Sequence, residues 1–390
     1  MNVAAIQEAL REEGLDGWLF FDHHVRDPLA YRVLGLSMHL HVTRRWYYFI
    51  PSNGEPRKLV HRIEAGHLDP IPGEKNIYSS WETQRNGIGK LLAGARRIAM
   101  QYSASCAIPY VAMVDAGTVE MIRGLGTEVV TSANLIQLFE ARWNAAQLET
   151  HLEAGRRVDG IRREAFEQIG ARLRSGTRTG EYDIQQFIVR RFTDEGMVTD
   201  NAPIVAVNAN ASNPHYGPTA ETNVEINKGD SVLIDMWAKL NQPDAVFYDI
   251  TWMGFCGTTP PDRLVNVFAV AMGARDAAIA KVRFATEARH PLCGFEVDDS
   301  CRGYIAQHGF GEYFVHRTGH SIGMDVHGSG ANMDNLETHD VRRVIPWTCF
   351  SVEPGIYLPE FGVRTEVNVF IGDDASRVTG EIQEKLVEAV

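Results

Sequence analysis

The segment SVLIDMWAKLNQPDAVFYDITWMG, residues 231–254, decides the fold of the second half of the chain. Its apolar and β-branched composition predicts two strands, 231–239 and 245–254, joined by a turn. Asp235 and Asp249 lie inside these strands, although carboxylates are depleted in strands and seldom buried without a partner. Fourteen residues separate them, so a hairpin with strands of about six residues brings them together.

A second strand pair repeats this pattern further along the chain. TCFSVEPG (348–355) contains Glu353, and GVRTEVNVFI (362–371) contains Glu366. Two hairpins therefore deliver four carboxylates to one place. Such a group repels itself, and several members would stay protonated unless cations neutralise them. Two divalent ions would balance the four negative charges.

A glycine-rich stretch, HRTGHSIGMDVHG (316–328), supplies three histidines: His316, His320 and His327. It does not fit a zinc-protease helix, because Arg317 stands where that motif has its glutamate base, and glycine disfavours a helix. Loop histidines without a functional role would give the same pattern. With the four carboxylates, however, one imidazole completes an oxygen-rich site that suits Mn, Co, Fe or Zn. Two such ions could share a bridging hydroxide, a nucleophile at neutral pH.

The composition excludes several classes of partner. The chain has 390 residues, a net charge of -12 and a pI near 5.6, which disfavours nucleic acid and anionic membranes as main partners. No apolar run approaches the roughly 18 residues of a membrane span, and the N-terminus has an amphipathic pattern instead of a signal peptide. Five cysteines without a C-x-x-C pair suit a reducing cytoplasm.

The hydrophobic pattern predicts two domains, 1–142 and 143–390. The first alternates strands with helices and is expected to be a small α/β domain. The second is α+β, with helices over a mainly antiparallel sheet. Asn144 and Gln147 form a capping-box signature at its start. The predicted strands of the first domain are 17–21, 45–50, 96–102 and 127–130. The predicted helices are an N-terminal one, 86–94, 110–123, one from Asn144 to about 173, 181–195, one that Pro260-Pro261 opens and that runs to about 288, and 296–307.

The order Asp, Asp, His, Glu, Glu resembles that of the pita-bread metallopeptidases, a family that includes methionine aminopeptidase, aminopeptidase P and prolidase. The resemblance covers roughly residues 145–390. The shorter N-terminal domain is similar to the creatinase-type domain, which points to the prolidase and aminopeptidase P branch. The residues that carry the match are Asp235 in LIDMW, Asp249 in YDIT, His320 in HRTGH, Glu353 in SVEPGIY and Glu366 in VRTEV.

The resemblance implies a role for each of these residues. Asp235 would chelate one metal ion, and His320 with Glu353 would hold the other. Asp249 and Glu366 would bridge the two. Glu353 would also act as the general base towards the nucleophilic water. The implied cofactors are two divalent ions, with Mn preferred and Co, Zn or Fe as alternatives.

Four further residues match family positions on the substrate side of the site. His215 in NPHYGP would contact the substrate and steady the tetrahedral intermediate. His316 and His327, which flank the ligand histidine, would contact the substrate's carbonyl and carboxylate side. Arg364 in GVRTE would anchor either the site or the substrate.

Three positions depart from the family pattern and leave the substrate open. Arg317 replaces the glycine that usually follows the first histidine. The turn KLNQPDA is longer than usual, and Val367 replaces a frequent acidic residue. None of these changes removes a ligand.

Three functions fit this sequence. The first is a two-metal exopeptidase that cleaves an Xaa-Pro bond in a small peptide, as a dipeptidase or an aminopeptidase. The second is a metal-dependent hydrolase of a small non-peptide amide, and the third is a non-catalytic binding protein on the same fold. The resemblance also implies a homodimer, in which His23, His24 and Arg26 either reach the partner's active site or form a surface loop.

Overall fold

The computed structural model describes residues 1–389. The chain forms two compact units, of which the first covers Met1–Ala141 and the second begins at Arg142. Each unit encloses hydrophobic clusters of its own. No helix in the described part of the chain is both long and apolar enough to cross a membrane.

A six-stranded sheet forms the centre of the first unit, in the order β4-β3-β2-β1-β5-β6. β2 is antiparallel to both of its neighbours, and the other pairs are parallel. All strands except β2 therefore point their carboxyl ends at one edge. The strands are β1 (Gly17–Asp22), β2 (Trp46–Pro51), β3 (Arg57–His61), β4 (Glu74–Tyr78), β5 (Arg97–Met100) and β6 (Glu128–Thr131).

Helices cover both faces of this sheet, so β1 and β2 are buried along their whole length. One predicted helix begins earlier than expected, and another begins later. Ser80 and Thr83 form a capping box, so α3 starts before 86. Asp115 caps α4, and Pro109 opens a separate 3-10 turn. The helices are α1 (Val3–Glu12), α2 (Pro28–Leu34), α3 (Trp81–Leu91), α4 (Ala116–Arg123) and α5 (Ala133–Ile136).

The second unit contains the two predicted strand pairs in separate sheets. One sheet has the order β17-β10-β9-β7, with β8 also paired to β9, and the other has the order β11-β12-β15-β16. A short hairpin, β13-β14, lies between β12 and β15 in the chain. The strands are β7 (Met197–Val198), β8 (Ile204–Val207), β9 (Ser231–Leu240), β10 (Tyr248–Phe255), β11 (Ser321–Ile322), β12 (Cys349–Val352), β13 (Gly355–Tyr357), β14 (Gly362–Arg364), β15 (Val367–Ile371), β16 (Ser376–Thr379) and β17 (Val387–Glu388).

Long helices pack against these sheets, as the apolar periodicity predicts. Asn144 and Gln147 form the expected capping box, and Gly176 ends the first helix in a left-handed conformation. Apolar side chains of the helices and strands share two large buried clusters. The helices are α6 (Ala145–Ser175), α7 (Glu181–Asp194), α8 (Asp262–Glu287) and α9 (Gly294–Gln307). The mixed α+β class is confirmed.

Strand register places the acidic residues on shared faces. Asp235 lies opposite Thr251 and Asp249 lies opposite Trp237, so the two carboxylates are diagonal neighbours on one face of the β9-β10 hairpin. In the other sheet Val352 pairs with Val367. Glu353 and Glu366 occupy the next position beyond that pair.

Candidate active site

Four of the five predicted metal ligands form one cluster, in which three are buried and Glu353 is half-buried. Asp249, His320 and Glu366 each offer a ligand atom, and these atoms lie within 4.8 Å of one another. His320 Nε2 lies 3.5 Å from Asp249 Oδ2 and 3.3 Å from Glu353 Oε1. Because the four come from separate strands and loops, tertiary packing assembles the site.

Main-chain and amide contacts join the two sheets at this cluster. The Glu366 N–H donates to Thr251 O over 3.1 Å. The Asp249 N–H donates to Asn368 Oδ1 over 3.2 Å, and Asn368 Nδ2 donates to Asp249 O over 2.7 Å. These bonds fix the position of β10 against β15, and with it the distance between Asp249 and Glu366.

Two carboxylate oxygens in the cluster have no partner. Asp249 Oδ1 and Glu366 Oε1 are buried and accept no hydrogen bond from the residues that the structure describes. An unpartnered buried carboxylate oxygen is costly. Burial, and then the neighbouring carboxylates, raises the pKa of both side chains well above its ordinary value. A cation bound here would supply the missing interactions.

The His320 ring is oriented as a metal ligand. Its Nδ1 lies 3.2 Å from Ser321 O, which assigns the ring proton to Nδ1 and leaves the Nε2 lone pair facing Asp249 and Glu353. Burial lowers the pKa of His320, so the neutral form that metals require is favoured. Carboxylate oxygens with one such nitrogen fit a pair of divalent ions of the Mn, Co, Fe or Zn type.

A close approach of the main chain holds His320 in place. Its N–H donates to Ser351 Oγ, and the Ser351 N–H donates to His320 O, both over 2.9 Å. A Cβ at position 319 would lie 1.8 Å from Ser351 O. The glycine before His320 is therefore required for this contact.

The fifth predicted ligand, Asp235, is bound to a buried arginine. Arg364 Nη2 forms an ion pair with Asp235 Oδ2. Arg364 Nη1 donates to Tyr357 OH over 3.1 Å, and its Nε donates to Thr251 Oγ1 over 3.0 Å. The arginine thus neutralises Asp235 from one side, and all three of its nitrogens are engaged by protein atoms.

The predicted substrate histidines lie in different environments. His316 Nδ1 lies 2.7 Å from Arg317 O and its Nε2 lies 2.6 Å from Tyr357 OH. Burial, and next the charge of Arg364, lowers the pKa of His316 to about 3. Burial raises the pKa of Tyr357 to about 12, so the phenol is the donor and the neutral imidazole accepts.

The other two histidines are exposed. The ring of His327 lies edge-on to that of His320, with 4.3 Å between the centroids. The His215 N–H donates to Asn213 Oδ1 over 3.1 Å. No hydrogen bond within residues 1–389 joins the His215 ring to the four carboxylates.

A model of metallopeptidase family M24 matches residues 151–373, more than half of the chain. The chain belongs to metallopeptidase family M24. Its second unit is the pita-bread fold of that family, and the expected prolidase and aminopeptidase P branch is confirmed. A curated relative, the Xaa-Pro dipeptidase of Lactobacillus helveticus, is 33% identical over 215 residues, which are 55% of this chain and 52% of the relative. The matched part thus spans about half the length of that relative.

Solved structures of metallopeptidases share the fold over nearly the whole chain. Dipeptidase PepE from Mycobacterium ulcerans has a TM-score of 0.75 at 22% identity, over 99% of this chain and 96% of its own. The X-prolyl aminopeptidase from Caenorhabditis elegans, described as a cytosolic enzyme with a di-nuclear active site, has a TM-score of 0.67 at 17% identity, over 97% of this chain and 61% of its own. At these identities the likeness establishes the fold.

Three polar residues of this metallopeptidase site were not predicted. Thr251 links Arg364 to Glu366, and Ser351 Oγ donates to Glu353 Oε1 over 3.0 Å. Both lie two residues from a predicted ligand, so strand alternation could have placed them on the same face. Tyr357 lies on the separate hairpin β13-β14 and carries no such signal.

Proposed function

We propose that this metallopeptidase hydrolyses Xaa-Pro peptide bonds with a pair of divalent metal ions. The cluster of buried carboxylates around His320, with two unpartnered oxygens, carries the metal part of the proposal. The substrate class rests on relatives whose names state it, such as the Xaa-Pro dipeptidase of Lactobacillus helveticus. A dipeptide and the N-terminus of a longer peptide are both compatible with it.

The ligand set would consist of the five residues identified in the sequence. Asp235 would hold one ion, His320 and Glu353 the other, and Asp249 and Glu366 would be shared by both. We propose Mn first, with Co, Zn and Fe as ions that suit the same donors. When bound, such ions polarise a carbonyl group and lower the pKa of a coordinated water.

Glu353 is the residue that we propose as general base. Its side chain retains 16% exposure, against 6% for Asp249, so it can exchange a proton with solvent. Burial raises its pKa, and a pKa closer to the working pH makes a better base. Ser351 Oγ donates a hydrogen bond to Oε1, and this contact orients the carboxylate.

Two of the histidines, His327 and His215, would meet the substrate because both are exposed. His316 would contact it through the edge that Tyr357 now holds, and it would do so as a neutral ring. The engagement of all three Arg364 nitrogens by Asp235, Tyr357 and Thr251 supports a role in anchoring the site over direct contact with substrate.

The first unit would be a creatinase-type N-terminal domain. We also propose a homodimer in the cytoplasm, as the family resemblance implies.

The test is a substrate panel assayed on protein that has been stripped of metal and reconstituted with Mn, Co or Zn. The panel contains Xaa-Pro dipeptides, Xaa-Pro tripeptides and non-proline controls. Glu353→Gln is expected to lower kcat by about 10²–10⁴-fold, while Glu287→Gln, at an exposed position, leaves it unchanged. The ratio of dipeptide to tripeptide cleavage then selects between dipeptidase and aminopeptidase.

Arg317 supports a second candidate, a metal-dependent hydrolase of a small anionic amide. Its charge contributes, after burial and other groups, to the lowered pKa of His316 and His320, so a cation acts on two histidines of the site. Two bound metals without cleavage of any peptide in the panel would favour this candidate. A protein that bound no metal would contradict both hydrolase proposals and leave the binding protein.

A further inference from the structure

A cleft in the first unit lies outside the candidate active site. The carboxyl ends of β1, β3 and β4 meet at one sheet edge, and a cavity of roughly 430 Å³ opens there. Ligands of open α/β sheets bind outside the carboxyl ends of the strands. The volume falls within the range of small-molecule sites, about 300–1,000 Å³.

Three arginines stand in the lining of this cleft. Arg26, Arg44 and Arg45 line it and are exposed. None of the three forms a salt bridge with a carboxylate in the described residues. Asp115 is the acidic residue in the lining, and its two oxygens accept hydrogen bonds from Thr118. A chain with a net charge of -12 thus gathers positive charge at this edge.

A strained loop determines where Arg26 lies. His24 and Val25 have φ angles of 66° and 55°, a left-handed conformation that costs a non-glycine residue about 1–3 kcal/mol and is rare for a β-branched one. The buried Asp22 carboxylate compensates by accepting from the N–H groups of Val25, Arg26 and Asp27 over 2.9, 2.7 and 3.1 Å. Strain held in this way at a cleft is a feature of functional sites.

Two helices add to the positive potential. α3 and α4 both begin at this edge, at Ser80 and Asp115, where helix N-termini carry partial positive charge. His61 forms part of the wall of the cleft. Its ring is held in place, because its Nδ1 accepts from the Ile63 N–H and its Nε2 lies 3.2 Å from Ser79 O. Trp81, 70% exposed, presents a flat apolar ring beside the charges.

We propose that this cleft binds a small organic polyanion that carries phosphate or carboxylate groups, with Arg26, Arg44 and Arg45 as its main donors. Guanidinium groups pair with both kinds of anion through two parallel hydrogen bonds. The site is independent of the proposed peptidase activity, since it uses no residue of the metal cluster.

The test is calorimetric titration of the full-length, metal-free protein with two probes, pyrophosphate and citrate. Saturable binding of either probe is the expected result, and the probe that binds more tightly identifies the anion class. Arg26→Gln and Arg45→Gln should each weaken binding by at least about ten-fold, the loss of a charge-assisted hydrogen bond. Arg85→Gln, an exposed arginine outside the cleft, is the matched control.

A second measurement needs no variant and covers the case in which one misfolds. Phenylglyoxal modifies accessible arginines, and mass spectrometry gives the extent at each position. Pyrophosphate or citrate should protect Arg26 and Arg45 and leave Arg85 reactive. Absence of saturable binding to both probes, equal affinities in the cleft and control variants, or equal protection at all three arginines would each overturn the proposal.

Discussion

Thr251 Oγ1 donates a 2.9 Å hydrogen bond to Glu366 Oε2. The same oxygen accepts from Arg364 Nε over 3.0 Å, and Arg364 pairs with Asp235. One hydroxyl on β10 thus connects Asp235 and Glu366, the first and last residues of the proposed ligand set. The other oxygen of Glu366, Oε1, is buried and accepts no hydrogen bond from the described residues.

Thr251→Val removes this connection with little change in shape. Glu366 Oε2 and Arg364 Nε would both lose a buried partner, so we expect a loss of about 2 kcal/mol in the free energy of unfolding. Metal affinity should fall about ten-fold or more, as is usual when groups that orient ligands are lost. Urea unfolding of the metal-free protein and metal titration measure the two effects. Thr251→Ser keeps the hydroxyl and should restore both; equal metal affinity in the Val and Ser variants would contradict the assigned role.

Gly319→Ala is expected to destabilise the protein by about 2–4 kcal/mol, because its Cβ would overlap Ser351 O at 1.8 Å. The displaced main chain would also move His320, so metal affinity should decrease. Gly323→Ala is the matched control, since no atom lies within 4 Å of a Cβ there. Chemical unfolding of both variants gives the comparison, and equal stabilities would show that the close approach is not needed.

Asp249→Asn should have opposite effects with and without metal. In the metal-free protein it removes one of four crowded carboxyl groups whose charged forms burial and mutual repulsion disfavour, so stability at pH 7 should stay equal or rise. In the wild type, Mn at 100 times its Kd should add about 2.7 kcal/mol, and the variant should lose most of this gain. Thermal melts with chelator and with Mn provide the data; a variant that Mn stabilises as much as the wild type would exclude Asp249 as a ligand.

Because His151 is buried as a neutral imidazole, we expect the protein to lose stability in mild acid. This histidine is fully buried, with Nδ1 2.7 Å from Phe247 O and Nε2 2.7 Å from Thr379 Oγ1. Burial lowers its pKa from 6.5 to about 4. The unfolded chain binds a proton at this histidine more readily than the folded chain does. The contribution of neutral His151 to the free energy of unfolding is therefore complete above pH 6.5 and is lost as the pH falls to 4. The full contribution is about 3 kcal/mol.

The measurement for His151 is urea unfolding at several values between pH 7.5 and 4. His151→Gln should be less stable than the wild type at pH 7.5, and its stability should fall less steeply between pH 6.5 and 4. His290→Gln, at an exposed position, should retain the wild-type slope. Parallel curves for the wild type and His151→Gln would assign the acid sensitivity to other groups.

Strand pattern and charge were enough to predict the pairing of β9 with β10 and of β12 with β15, but they did not predict the separate hairpin β13-β14 that lies between β12 and β15. Asp235 and Asp249 interrupt apolar strands, and alternation on a hairpin places them on one face whatever surrounds it. The same reasoning could not predict the contacts of Arg364, because its partners come from three different strands. Such contacts depend on how the sheets pack, which no local pattern records.

The first unit was predicted less completely, for a physical reason. β4 has the sequence EKNIY and is exposed over four of its five residues, so it carries no apolar alternation. β3 is short and starts with two basic residues. The cleft could not be anticipated at all, because it requires the strand order that places the carboxyl ends of β1, β3 and β4 along the same edge of the sheet.

In the loop from Asp22 to Asp27, one set of groups determines the backbone conformation and another set determines which ligand the cleft can bind. Its conformation depends on a buried carboxylate and on N–H groups that every residue except proline possesses. The side chains at 23, 24 and 26 contribute nothing to those bonds. Evolution could therefore exchange them, and alter what the cleft recognises, without rebuilding the scaffold that presents them.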